Sequence, residues 1–271
     1  MTTTHPDLET GWRPDTPVGD TYLRRYVCNL ATSWLAAADA MEQRTLRSDA
    51  FAAADFGRPV GLFNSVTLTQ PALDGDLRDV LDGIEAFYDT GSGDVHLWSP
   101  WPTPDLSERG WELEGHPPML LRPPSGPVDV AAPDDLRIVR VTDARGVDDW
   151  CRVAVEGFPL EEVMPYRTGD LLDERILRDE RWRLFVGYAE DRPVCIGTLF
   201  VAYGLGHFFL AVTRPEARGR GYYGAMSRTR MAAVPDLPLA AVFSDMSRPA
   251  AETRLGFLPL TRFTLWRMSR S

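Results

Sequence analysis

The stretch Val212 to Met226, VTRPEARGRGYYGAM, sets glycines at 219, 221 and 224 between a strand-forming run (His207 to Thr213) and a segment of helical period. Glycine in such a place lets backbone N–H groups converge on an anion with no side chain in the way. A helix beginning there adds its own unpaired N–H groups and the positive end of its dipole. Arg218 and Arg220 add guanidinium forks suited to phosphate. A chain with this junction is α/β, with strand, turn and helix in direct succession. The glycines alone do not name the anion, because turns and tight packing use the same residues. Two nucleotide patterns fit poorly. A P-loop needs Gly-Lys-Ser/Thr, and the chain has no lysine. A dinucleotide fingerprint opens the first strand–helix unit of its domain, whereas this junction follows a hairpin.

Around the junction, period and punctuation place further elements. LRIVRV (136–141) alternates as a strand, and a helix follows with Asp143 as its N-cap. DLLDERILRDE (170–180) reads as a second helix. RWRLFVGYA and VCIGTLFVAY form a hairpin around EDRP. A helix from about Arg220 to Ala233, the strand PLAAVFSD, a short helix RPAAETR and a last strand TRFTLWRM complete the order. The segment RPPSGPVDVAAPDD (122–135) has neither hydrophobic period and reads as a semi-rigid linker. The chain thus divides into a domain over 1–122, a linker over 123–135 and a domain over 136–271. Both halves close alike: a short helical stretch runs into Gly110-Trp111 or Gly256-Phe257. Met119 or Leu265 follows eight residues after the aromatic, inside an apolar closing strand. This points to a duplicated domain.

Composition narrows the setting. The net charge of −10 is confined to one half: residues 1–133 hold 20 acids and 9 arginines (−11), and residues 134–271 hold 19 acids and 20 arginines (+1). Such a field disfavours nucleic acid as a partner and favours cationic ligands over the first half. No apolar run approaches the ~18 residues that span a bilayer, and the N-terminus shows no secretion signal. Cys28, Cys151 and Cys195 stand far apart in apolar contexts, as reduced thiols do, and the cytoplasm is the expected compartment. No metal spacing joins His5, His96, His116 or His207 to cysteine or acid.

VTRPEARGRGYYGAM resembles the coenzyme A motif of the GNAT superfamily of acyl-CoA N-acyltransferases, whose core is Arg/Gln-x-x-Gly-x-Gly/Ala. The element order over 136–271 is also that family's, and ETRLGF resembles its late Tyr-x-x-Leu-Gly-Phe helix. The resemblance implies two GNAT-like domains, each a twisted mixed α/β sheet flanked by helices, with a degenerate first domain that lacks the cradle. It implies acetyl-CoA, or another acyl-CoA, as co-substrate and no metal. Arg218, Gly219, Arg220, Gly221, Tyr222, Tyr223 and Gly224 would wrap the pyrophosphate. Ala211, Val212 and Thr213 would offer backbone groups to the pantetheine arm, and a backbone N–H where that strand splays from PLAAVFSD would steady the oxyanion. Two departures stand out. Tyr223 occupies a usual Gly/Ala position, by plain substitution or by a one-residue slide that makes Gly224 the third glycine. Glu252 stands where the family's proton-donating tyrosine is expected.

Acyl transfer to an amine also needs a base. His207 and Asp245 are candidates beside Glu252, and Glu156, Glu161 and Glu162 border the acceptor side, where they would hold a cation. The implied activity is N-acetyl transfer to a small, cationic metabolite amine by direct attack on the thioester, with a homodimer among the expected assemblies. Two alternatives stay open: an acyl-CoA-binding or regulatory module without turnover, and a biosynthetic enzyme of this fold that does not use acetyl-CoA.

Overall fold

The computed structural model describes residues 21–71, 74–124, 126–158 and 160–270; the leader expectation and His5 lie outside them. In chain order the elements are α1 (Tyr22–Ala40), β1 (Arg44–Arg47), β2 (Phe51–Asp55), β3 (Ser65–Leu68), α2 (Asp74–Tyr88), β4 (Val95–Ser99), β5 (Trp111–Gly115) and β6 (Pro118–Arg122). There follow β7 (Leu136–Arg140), α3 (Ala144–Gly157), β8 (Trp182–Ala189), β9 (Arg192–Ala202), β10 (Leu205–Thr213), α4 (Tyr222–Ala232), β11 (Leu239–Val242), α5 (Arg248–Leu255), β12 (Leu258–Arg262) and β13 (Thr264–Met268).

These strands form two mixed sheets, ordered β1-β2-β3-β4-β13-β5 and β12-β6-β11-β10-β9-β8-β7. The closing strands have changed places. β6, from the first half, inserts between β11 and β12, with Met119 opposite Val242. β13, from the second half, inserts between β4 and β5, with Trp266 opposite Leu97. The duplicated endings lead into this exchange: Gly110 and Gly256 both take the left-handed conformation after a short helical turn. The sheets therefore do not follow the division at residues 122 and 136, because each lobe is completed by the other half's last strand.

Local chemistry accounts for most boundaries. Asp143 caps α3 by accepting from the Gly146 N–H at 2.8 Å. Glu190 and Asp191 both have positive φ, as a two-residue hairpin turn between β8 and β9 requires. The helix expected over 170–180 is instead a 3-10 turn, Glu174–Arg178. There the Asp173 carboxylate takes the Arg175 N–H and guanidinium, and Asp179 does the same for Arg181, so local side-chain bonds replace helical ones. The single last strand expected after α5 is two strands, β12 and β13, one in each sheet.

Helix α1 is buried on nearly all sides because it lies between the sheets. Its Asn29 amide donates to Ala202 O at 3.0 Å and Leu205 O at 3.1 Å, tying it to the β9–β10 turn. Trp34 meets Phe209 edge-on at 4.8 Å, and Tyr26, Phe56, Phe63, Trp150, Trp182 and Phe263 belong to the same core. A dry core drawn from both halves holds the lobes in one relation.

Beyond β13, Arg270 reaches back into the first lobe. Its guanidinium meets Asp55 at 3.0 Å, with 7% and 2% of the two side chains exposed, and Arg44 meets the same carboxylate from the surface. Arg270→Ala is expected to lower stability by about 2–4 kcal/mol, because Asp55 stays buried with a weaker partner. Arg44→Ala, at the exposed partner, should cost under about 1 kcal/mol. Urea denaturation of both variants checks the order.

Candidate functional site

The site is organised by one opening in the second sheet. β10 and β11 pair in parallel only at Gly206–Leu239 and His207–Ala240, and then part. On its other edge β10 stays paired with β9, but the register shifts between Phe209 and Ala211. Arg230 of α4 lies beneath this bulge. It is 1% exposed, donates to Phe209 O and Thr198 O at 3.2 Å each, and stacks 3.6 Å from the Phe208 ring centroid. Burial pushes its pKa down only to about 10, so it stays charged at neutral pH. Gly197, opposite Ala211, makes room for it, since a Cβ there would come within 2.7 Å of Arg230 Nε.

Past the bulge, Ala211, Val212 and Thr213 line a cleft of about 580 Å³. The glycine loop forms its floor: Gly219 and Gly221 have φ of +79° and +83°, where a side chain would be strained. Gly221 is the N-cap of α4, no side chain caps that end, and no acid occupies its first turn. The helix thus presents its first N–H groups with no side-chain acceptor for them. Gly221 at the cap with α4 starting at Tyr222 fits plain substitution at Tyr223 and needs no inserted residue.

The cleft residues divide by role. Gly219, Gly221, Tyr222, Tyr223, Gly224 and Arg218 all line it. Arg218 also braces the walls, donating to Thr213 O and Gly157 O at 3.1 Å each. Tyr222 is an anchor; its ring is 1% exposed and its hydroxyl donates to Asp135 in the linker. Arg220 stands outside the cleft lining, where the Tyr222 hydroxyl and the Asp135 charge raise its pKa. Arg228 and Arg254 line the cleft and were not anticipated. Arg228 could have been found from its place one turn after Gly224. Arg254 needed the packing of α5 on α4.

The three residues expected to move protons do not face this cleft. His207 is 4% exposed, and burial pushes its pKa down to about 3, so it is neutral and no base. Its Nε2 lies 3.2 Å from the Tyr26 hydroxyl, which accepts the Val242 N–H at 3.0 Å. Asp245 is exposed and paired with Arg262 at 2.9 Å, a contact that holds its pKa below the usual range. Glu252 is paired with Arg248 at 2.5 Å on α5, whose cleft-facing residues are Ala250, Arg254 and Leu255. On the acceptor side, Glu156 is taken by Arg214 at 3.0 Å. Glu161 and Glu162 stand exposed on a 3-10 turn just after α3, whose last residue, Gly157, abuts Val212. A larger open groove of about 1060 Å³ lies along β5 and β13, walled by Trp101, Trp266 and prolines. Its arginine, Arg262, is already paired with Asp245. Among the described residues, no cluster of three or more His, Cys, Asp or Glu could hold a metal, and no helix is long and apolar enough to cross a membrane.

No protein-family model and no curated protein matches the sequence. Solved structures do match. A GCN5-related N-acetyltransferase from Kribbella flavida superposes with a TM-score of 0.66 at 15% identity, over 93% of this chain and 98% of that one. A tandem GNAT protein from the clavulanic acid biosynthesis pathway superposes with a TM-score of 0.52 at 14% identity, over 89% and 94%. The chain has the tandem GNAT fold. A GCN5-related N-acetyltransferase-like protein from Streptococcus suis gives a TM-score of 0.53 at 16% identity, over 93% and 100%. Near-complete coverage in both directions shows that the GNAT likeness extends over both lobes.

Two outcomes test this description. Gly197→Ala drives a methyl into the Arg230 stem and should cost about 1–3 kcal/mol in urea denaturation, as overpacking does. His207 supplies a pH test. Its folded pKa of about 3 lies below the ordinary histidine value of 6.5, so the unfolded chain takes up a proton that the folded chain refuses. Its contribution is complete above pH 6.5 and is lost as pH falls from there toward 3. Between pH 6.5 and 5.5 the stability gap between wild type and His207→Gln should shrink by about 1 kcal/mol.

Proposed function

We propose that the second lobe is an acyl-CoA-dependent N-acyltransferase that moves an acetyl group to the amine of a small, cationic metabolite. One observation carries this: an uncapped helix N-terminus behind two left-handed glycines faces a cleft lined by three arginines and by the strand end that has left its neighbour. A pyrophosphate would approach the loop with no side chain in the way at Gly219, Gly221 or Gly224, which line the cleft. Arg218, Arg228 and Arg254 would balance its charge. The backbone of Ala211 to Thr213 would orient the pantetheine arm. Coenzyme A supplies the acyl group as a thioester; the amine's attack forms the C–N bond and breaks the C–S bond.

This chain's own contribution is positioning and charge. The bulge set by Arg230 aims the backbone past Ala211 at the reacting carbonyl, where N–H groups stabilise developing negative charge. Glu161 and Glu162 raise the local concentration of a cationic amine at the open side. With His207, Asp245 and Glu252 turned elsewhere, the amine proton leaves to water. That same observation favours a second reading, a module that holds acyl-CoA without turnover.

Calorimetric titration with coenzyme A and acetyl-CoA separates these. Wild type should bind with micromolar Kd, and Arg228→Ala/Arg254→Ala should weaken binding by about tenfold or more, the cost of charge-assisted contacts. The cleft is not a coenzyme A site if wild type binds neither. Thiol release with a panel of amines then distinguishes an enzyme from a binding module.

A further inference from the structure

We infer that Tyr26, a residue of the first lobe, limits the length of acyl chain that the second lobe accepts; the inference rests on the acyl-CoA function proposed above. Past His207 and Ala240, β10 and β11 no longer pair. On β11, the Val242 N–H is satisfied by the Tyr26 hydroxyl at 3.0 Å. The same hydroxyl lies 3.2 Å from Nε2 of His207 on β10, so it bridges both strands at the head of the opening. The hydroxyl accepts the Val242 N–H and keeps both a second lone pair and its own proton, so it can serve Nε2 in either tautomer of His207.

The tyrosine is fixed as well as bonded. It is 0% exposed, and its ring meets His207 edge-on at 5.0 Å and Phe263 at 5.8 Å. Phe209 meets His207 at 4.8 Å. An acyl chain running from Ala211 toward the head of the opening therefore meets a filled, polar end. Acetyl or propionyl groups stop short of it. A longer alkyl chain must expel Tyr26, leaving the Val242 N–H and His207 Nε2 without partners in a dry core where Nδ1 already lacks one. Selection against long chains follows from those unpaired groups in addition to volume. The limit comes from the other lobe, which gives the degenerate half a role in the chemistry of the intact one.

The test is calorimetric titration of full-length wild type, Tyr26→Ala and Tyr26→Phe with coenzyme A, acetyl-CoA and octanoyl-CoA, with thermal unfolding to verify that each variant is folded. Wild type should bind octanoyl-CoA about thirtyfold or more weaker than acetyl-CoA, as expected for two buried groups losing partners. In Tyr26→Ala the gap should close to within about threefold, and Tyr26→Phe, which keeps the ring and loses the bridge, should fall between. Equal wild-type binding of acetyl- and octanoyl-CoA overturns the inference and leaves the coenzyme A site standing. A folded Tyr26→Ala that discriminates like wild type also overturns it, and where that variant does not fold, an unchanged gap in Tyr26→Phe does so. Wild type that binds none of the three overturns the acyl-CoA function and this inference together.

Discussion

A sheet that opens must find new partners for the backbone groups it frees, because a buried N–H or C=O without one costs as much as a lost hydrogen bond. The parting of β10 from β11 is the constraint on which the second lobe is built. Three regions respond to it. On the β9 side, where the register slips, Arg230 accounts for the carbonyls of Phe209 and Thr198. At the head of the opening, Tyr26 takes the Val242 N–H. At the mouth, Arg218 takes the Thr213 carbonyl, and the remaining backbone faces the cleft. Where the protein fills the gap itself, the structure is closed and dry, and the site is what remains.

The exchange of closing strands explains how a residue from the other half comes to fill that gap. β6 lies beside β11 because the second lobe lacks its own last strand there, and Phe243 continues the pairing by donating to Pro118 O. Helix α1 is then held against the opened face by both sheets at once. A lobe that was merely tethered would leave Tyr26 free to withdraw. Here the shared core of Trp34, Phe63, Trp182 and Phe209 keeps it in place.

What was legible in the sequence follows the range of the interactions involved. Asp143 and Gly146 lie within one turn, and the glycine loop is contiguous, so both could be recognised from the chain alone. The two closing strands were also legible through Met119 and Leu265, but not their destinations, because an apolar strand carries no mark of which sheet it will complete. His207, Asp245 and Glu252 sat in plausible places along the chain and still missed the site. The first turns into the core, Asp245 meets Arg262, which only the folded chain brings near, and Glu252 meets Arg248 one turn before it on α5. Tyr26 gave no signal, as one of three aromatics in a helix that is buried on nearly all sides. The stretch 170–180 failed for the opposite reason: its aspartates bond within two residues, and that short-range chemistry outweighed a helical pattern.

The arginines show how the site's charge survives folding. Away from the cleft, Arg214, Arg248, Arg262 and Arg267 are neutralised by carboxylates. Around it, Arg218 is held by Thr213 O and Gly157 O, Arg228 by Ala131 O at 2.8 Å, and Arg230 by Phe209 O and Thr198 O. Among the described residues, no carboxylate lies within ion-pair distance of these three. A carbonyl orients a guanidinium without cancelling its charge, so the field of these residues adds to that of the uncapped α4 terminus. In a chain of net charge −10, a positive region of this kind persists only where local bonding keeps acids out. The linker does part of that work, since Asp135 is engaged by Tyr222 while Ala131 presents its carbonyl to Arg228. The two tyrosines that interrupt the glycine pattern thus have different explanations: Tyr222 secures the linker against the helix start, and Tyr223 is part of the cleft wall.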